Sequence, residues 1–536
     1  MKKTSEAFVS SSGVPIKRVY TAEDVANINP DRDIGLPGET PFTRGVYPDM
    51  YRGRLWTIRR YSGANTPEET NQIYRQEYEF GQTGFSVAAD PPTDAGVDSD
   101  DPRVGAEVGA SGVPVDSLLD METMFEGLPI DKVSTALTLP VLPALPLTAM
   151  YFVMAEKQGL DIKQLKGSTL NDIVLTLGCL WLLDQVPPQA TLGLAVDLIE
   201  WCTEVAPKWH PMFVDSYNYR EHEIRADQEL GLLLAIAIEH IEEEKQRGRM
   251  PLDKFVRRIA FDMSIHSDFF EEIAKFRAGR RMWYKIVRER YGIEDPHCWQ
   301  FRFHAQTAGS THTTQEPLNN LMRIAYQTLA AALGGVQSLH ANGYDEGLCI
   351  PTEESMLLSI RTEQILQHET GITNTVDPLG GSYYVEWLTS EVERRTWEYM
   401  EKIEKAGGGI VAALDSGWIH REFREAFLEY ERKVNSGEKV VVGVNKFHLD
   451  KVPYKVPIFR PNPKSDEIQV EKLRRLRKER NNAKVALALK ELEEVTRGDE
   501  NVMPAVKKAV EIYATQGEVC NVWRKVYGLW QNPMRI

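Results

Sequence analysis

Cysteine is sparse in this 536-residue chain and nowhere paired. The five (Cys179, Cys202, Cys298, Cys349, Cys520) are odd in number, scattered, and form no C-x-x-C. That excludes a disulfide framework or a thiolate zinc site as the basis of the fold, and suits a reducing compartment. Long apolar runs are also lacking. The richest, Val141 to Met154, is broken by Pro143 and Pro146 and falls short of a membrane span, so no membrane partner is expected. Positive charge is in deficit: 63 Lys and Arg against 78 Asp and Glu give a formal net charge of −15, which argues against a nucleic-acid partner. The first residues, Met1 to Gly13, contain no apolar stretch of the signal-peptide kind, and a cytoplasmic protein is expected. There is no G-x-x-x-x-G-K-[ST], no G-x-S-x-G and no H-E-x-x-H, so P-loop, hydrolase and zincin chemistry have no support. Internal repeats and low-complexity tracts are missing too.

What is present is a long alternation of short apolar segments and longer amphipathic ones. Gly84-Phe-Ser-Val-Ala, Val133 to Leu139 and Trp299-Gln-Phe-Arg-Phe are of the first kind. Leu230 to Glu244, Asp268 to Arg290 and Asn319 to Leu333 are of the second. Strand-then-helix alternation on this scale predicts a parallel α/β fold, with a barrel as the favoured closure. Polar residues at His304, Gln306 and Asn342 are read as following the short segments, where barrel chemistry sits. Residues 1–45 are punctuated by Pro, Gly and Asp and predict an extended arm. Beyond about Ser390 the chain turns to charged helices, Glu391 to Lys405 and Val470 to Val495. The basic run Lys472 to Arg480 predicts a solvated helix face, with an inter-subunit contact as the alternative. Gly407-Gly408-Gly409 reads as a helix C-terminal cap.

Several phrases, taken whole, are more specific. Tyr47-Pro-Asp-Met-Tyr-Arg-Gly-Arg-Leu-Trp-Thr-Ile-Arg-Arg-Tyr, Gly81-Gln-Thr-Gly-Phe-Ser-Val and Asp98-Ser-Asp-Asp-Pro-Arg-Val come first. Ala274-Lys-Phe-Arg-Ala-Gly-Arg-Arg, His304-Ala-Gln-Thr-Ala, Gln337-Ser-Leu-His-Ala-Asn-Gly-Tyr-Asp-Glu, Asp377-Pro-Leu-Gly-Gly-Ser-Tyr-Tyr and Val442-Gly-Val-Asn-Lys-Phe follow in order. Together these resemble the methylmalonyl-CoA mutase family from about Tyr47 to Phe447, more weakly beyond. The resemblance implies an α/β TIM (β/α)8 barrel with an N-terminal arm (1–45), a barrel that binds acyl-CoA (46–390) and a helical C-terminal extension (391–536). It implies an isomerase, a radical carbon-skeleton mutase using adenosylcobalamin. The family's cobalamin motif D-x-H-x-x-G does not occur here, so the cobalt ligand is expected on a separate small cobalamin-binding subunit, contacted by the extension. An α2β2 assembly with a second large subunit, and a GTPase chaperone, are further implied partners.

Carried over position by position, the resemblance places Tyr47, Met50, Arg54, Thr57, Arg59 and Arg258 along the CoA path. Forked guanidinium donors suit phosphates and carbonyls; for each arginine alone, a surface ion pair is the plainer alternative. It makes Tyr61, Asn218, Gln306 and His304 catalytic, puts Tyr217 beside the substrate, and gives Glu221, Asn342 and Glu346 to the adenosyl ribose. The chain also departs from the family. Leu180 stands where the carboxylate-binding arginine is expected, Leu170 replaces a glutamine, and Asn218 replaces a histidine. Ala64 and Ala89 replace two phenylalanines, each worth roughly 150–250 Å² of buried ring. A less polar and enlarged pocket is therefore expected, suited to a bulky acyl-CoA of phenylsuccinyl/benzylmalonyl or alkylsuccinyl type. A second carboxylate would fall to Arg60 or Arg220 beside Tyr61. The alternatives are an isobutyryl-CoA or 2-hydroxyisobutyryl-CoA mutase, or a non-catalytic acyl-CoA-binding protein.

Overall fold

A computed structural model describes residues 8–534. Its centre is a closed, all-parallel barrel of eight strands in sequence order. The strands are β1 Thr57–Ser62, β2 Gly84–Ala88, β3 Ser134–Thr138, β4 Gly167–Leu170, β5 Trp209–Asp215, β6 Ile259–Ile265, β7 Phe303–Thr307 and β8 Ser338–His340. Each is followed by a helix: α1 Pro67–Glu79, α2 Leu118–Met124, α3 Val141–Lys157, α4 Pro188–Val205, α5 Ala226–Arg247, α6 Phe269–Lys285, α7 Asn319–Gly334 and α8 Glu353–His368. This is the TIM barrel expected from the alternation.

Strand parity sorts the side chains. Outward go Ile58, Phe85, Val87, Leu137, Val214, Phe261, Met263 and Leu339, which join the main apolar core against the helices or lie buried beside it. Tyr74 on α1 packs at a tilt on Phe85 at 5.4 Å between ring centroids, and Phe276 on α6 stacks on Phe303 at 4.8 Å. Inward go Thr57, Arg59, Tyr61; Gly84, Ser86, Ala88; Ser134, Ala136, Thr138; Ser168, Leu170; and Ala260, Asp262, Ser264, by the strand register. Most TIM barrels fill this space with Val, Ile and Leu. Small and polar residues do not fill it, and a cavity of about 440 Å³ enters the barrel axis from the N-terminal ends of the strands.

Three details differ from the sequence reading. Pro143 and Pro146 do not break α3. Pro143 lies in the first turn, where no N–H bond is needed, and Pro146 is carried inside a helix whose residues 141–155 are all buried. His304 and Gln306 lie within β7, not after it, pointing into the axis. The stretch Val470 to Val495 is two helices, Ser465–Glu479 and Asn482–Thr496, parted where Arg480 turns extended and Asn481 caps the second by accepting the Lys484 N–H.

The arm lies on the molecule's own surface. After α8 comes α9, Tyr383–Gly407, capped by Gly408 at φ 92° as expected. Tyr20 packs on Tyr384 and Trp387 of α9, and Arg280 of α6 donates to the Phe42 and Thr43 carbonyls. The basic run is divided: Arg474, Arg475 and Lys478 form the exposed face expected of it, while the other three cations turn to the chain's own carboxylates. Lys472 pairs with Glu68 and Asp120, Arg477 with Asp98 and Asp100, and Arg480 with Glu518.

Candidate active site

The barrel axis is polar at both ends, in opposite senses. At its N-terminal mouth a basic residue stands immediately before four strands: Lys166 before β4, Lys208 before β5, Arg258 before β6 and Arg302 before β7. With Arg54 and Arg257 they ring the cavity opening. Among the described residues no carboxylate lines this cavity. Burial and neighbouring cations push the Arg258 guanidinium down to about 10 and lower Arg302 too. The Nε atoms of Arg59, Arg258 and Arg302 have no hydrogen-bond partner. Crowded, underneutralised guanidiniums with spare donors suit a multiply charged anion. All six residues placed on the CoA path (Tyr47, Met50, Arg54, Thr57, Arg59, Arg258) line this one cavity.

Deeper in, Arg59 bonds to Ser134 Oγ, and His304 Nδ1 meets Ser338 Oγ at 2.7 Å. Burial holds the His304 imidazole well below its ordinary range, so it is neutral, and its ring lies 6.1 Å from that of Phe213.

At the C-terminal end the polarity inverts. Gln306 donates from Nε2 to Asn342 Oδ1 at 3.0 Å, and Asn342 donates to the Thr307 carbonyl at 2.8 Å. Glu221 accepts the Ser310 N–H at 2.7 Å through Oε2, leaving Oε1 without a partner. A side chain at Gly309 would sit 3.0 Å from both Glu221 Oε2 and the Tyr217 hydroxyl, so glycine lets these groups converge. Desolvation pushes Glu221 up to about 8 and Glu346 to about 7. The Tyr61 phenol is raised by burial, then by Asp94, Asp215 and Glu346. Asp215 itself, on β5, is raised to about 7 by burial and by Asp172. Asn218 turns its amide to Asp215 Oδ2 at 2.6 Å.

Arg60 and Arg220 are placed elsewhere, and neither reaches the axis. By parity Arg60 points out of the barrel, 1% exposed, pairing with Glu77 at 3.1 Å and donating to the Ala341 carbonyl and Ser359. Arg220 lies in a buried network with Glu272 (3.0 Å) and Glu229 (3.4 Å), the latter also held by Lys275 at 2.7 Å. Ala64 and Ala89 are 0% and 4% exposed, and Ala89 pairs with Val113, whose side chain packs against this bend. Leu170 is buried at the inner end of β4. Leu180 lies outside the strands in a small cleft with Trp181 and Trp530.

Sequence reasoning missed Lys166, Lys208, Arg257, Arg302 and His210 at the mouth, and Asp215 and Asp262 within. Lys166, Lys208 and Arg302 share one local feature, a position directly before a strand, while Arg257 and His210 do not.

A TIM barrel open at the N-terminal end of its axis, cationic there and acidic at the opposite end, has the arrangement of an enzyme barrel suited to an anionic ligand. Comparison with known proteins makes this specific: the chain belongs to the methylmalonyl-CoA mutase family, whose family model matches residues 9–529. It is 39% identical to the 2-hydroxyisobutanoyl-CoA mutase large subunit of Aquincola tertiaricarbonis, over 98% of this chain and 92% of that one. It is 38% identical to the methylmalonyl-CoA mutase of Cereibacter sphaeroides, over 96% and 72%, and 36% identical to that of Escherichia coli, over 99% and 74%. The chain is an acyl-CoA mutase, an isomerase.

Proposed function

We propose that this chain is the large subunit of an adenosylcobalamin-dependent mutase whose substrate is a small, branched, hydroxyl-bearing acyl-CoA of the 2-hydroxyisobutanoyl type. The observation that carries the substrate class is the charge around Tyr61: Asp94, Asp215 and Glu346 act on its hydroxyl, while Arg60 and Arg220 are locked in buried pairs. A second substrate carboxylate would meet acidic groups there, with Arg60 and Arg220 committed elsewhere and unable to offset its desolvation. A hydroxyl, by contrast, donates to a carboxylate. The packing of Ala64 and Ala89 argues the same way, against a bulky aryl or alkyl group. The Aquincola relative is named for such a hydroxyacyl substrate.

In this reading the basic ring at the N-terminal mouth holds the CoA phosphates and the pantetheine arm runs up the axis. Tyr61, Gln306 and Asn218 orient the acyl group. Glu221 and Asn342, with Tyr217 around Gly309 and Glu346 nearby, hold the adenosyl ribose; the open acceptor on Glu221 Oε1 fits a ribose hydroxyl. Adenosylcobalamin, when bound, supplies the radical that starts the rearrangement. The chain's share is positioning and exclusion of water. Neutral His304 and the neutral Tyr61 phenol provide hydrogen bonds without moving a proton. Cobalt ligation is assigned to a separate small subunit seated on the C-terminal face.

The test combines this chain, the cobalamin-binding subunit and adenosylcobalamin with a panel of CoA esters, following isomers by mass spectrometry. Turnover of 2-hydroxyisobutanoyl-CoA, with isobutyryl-CoA slower and the diacids inert, is expected. Preferred turnover of phenylsuccinyl-, alkylsuccinyl- or methylmalonyl-CoA would overturn the substrate assignment.

A further inference from the structure

Two side chains that project inward from opposite parts of the barrel have unfilled hydrogen-bonding positions. Asp262 lies on β6 two residues beyond Ala260, which lines the cavity, and so about 6.6 Å further along the strand. It is 6% exposed, in register with Asp215 on one side and His304 on the other. Its Oδ1 has no hydrogen-bond partner. Arg59 projects from β1 into the same axis. It is the positive charge that acts on Asp262, yet its Nε is also unpartnered, and among the described residues the two form no ion pair. A buried polar atom left open is costly unless a ligand fills it.

The gap calls for one group that offers an acceptor to the guanidinium and a donor to the carboxyl a short distance apart. A secondary amide is such a group. Resting on the CoA-ester reading above, the pantetheine arm brings two amides up this axis. The one nearer the sulfur carries its N–H just below the acyl group, and Asp262 lies one inward-facing layer below Ser264 and Gln306. We propose that Asp262 is a substrate-binding residue that accepts the N–H of this amide, while Arg59 donates to its carbonyl. The pair would then fix the depth of the arm, and with it the placement of the thioester against Gln306. Burial and Asp215 hold the Asp262 carboxyl far above the usual range, a strain that an arriving N–H relieves.

The experiment is calorimetric titration of the chain with CoA and with an analogue in which that N–H is replaced by a methylene, the carbonyl being kept. Wild type is expected to prefer CoA by about tenfold or more, the size of one buried hydrogen bond to an acidic group. Asp262→Asn keeps an acceptor oxygen and should keep the preference. Asp262→Ala should bind both compounds alike, at the level of the analogue. Equal affinity of wild type for the two compounds, or an undiminished preference in Asp262→Ala, overturns the assignment while leaving CoA binding intact. Failure of wild type to bind CoA at all overturns the reading beneath it as well.

Discussion

Filling the axis should separate binding from stability. Ala260 lines the cavity on β6, 7% exposed, where the ligand arm would pass. In a packed barrel interior, Ala260→Phe would overpack and cost roughly 1–3 kcal/mol. Here the ring enters an unfilled space of about 440 Å³ and buries apolar surface worth roughly 1.5–3 kcal/mol. The two cases have opposite signs. The expected result is a melting temperature unchanged or raised by a few degrees, together with at least about a hundredfold loss of CoA affinity, near 2.8 kcal/mol. Differential scanning calorimetry and titration with CoA read both quantities on one sample. A lowered melting temperature with CoA affinity intact would refute the reasoning, because it would mean that the axis is filled and the ligand travels elsewhere.

Arg220→Ala should destabilise the fold by about 1–3 kcal/mol, since it removes one of the two cations shared by Glu229 and Glu272 and leaves both to Lys275 alone; chemical denaturation measures this, and a negligible change would show that Arg220 is not held in that network. Glu221 and Glu346 have pKa values raised to about 8 and about 7, so the stability they contribute is complete below the ordinary carboxyl range near 4.5 and is lost as pH rises through 7 to 8. The melting temperature should therefore fall between about pH 5 and pH 8, and Glu221→Gln should flatten that fall; superimposable profiles would contradict it.

The barrel was legible because its strands and helices repeat with the right lengths, and Gly84 to Ala88 even kept its bounds. Residues of one continuous phrase, such as Arg54, Thr57 and Arg59, came out in one cavity because alternate residues of β1 face the axis and Arg54 lies just before that strand. Parity within that phrase also settles Arg60: if Arg59 faces in, its neighbour faces out. Lys166, Lys208 and Arg302 were hidden because they are far apart in sequence, and only closure of the sheet brings them to one rim. Arg220 was unreadable for another reason. Its partners Glu229 and Glu272 come from two different helices, and no local pattern announces a buried ion pair. The packing beside Ala89 depended on Val113, a loop residue whose position no periodicity predicts.

The C-terminal helices hold buried groups of the barrel's early loops, and this bears on how the chain is made. Asp98 accepts from Thr515 and the Gly517 N–H, and Asp116 from Gln469 and the Gln516 N–H. Both aspartates emerge from the ribosome some 350 to 420 residues before these partners. A nascent chain that has completed all eight strands still carries two carboxylates in a site built to be sealed, so the barrel cannot reach its final stability during synthesis. Contacts this distant in sequence fold slowly and leave apolar surface open meanwhile. Expression of residues 1–460 alone should accordingly give aggregation-prone protein, with solubility restored when residues 461–536 are supplied on the same chain.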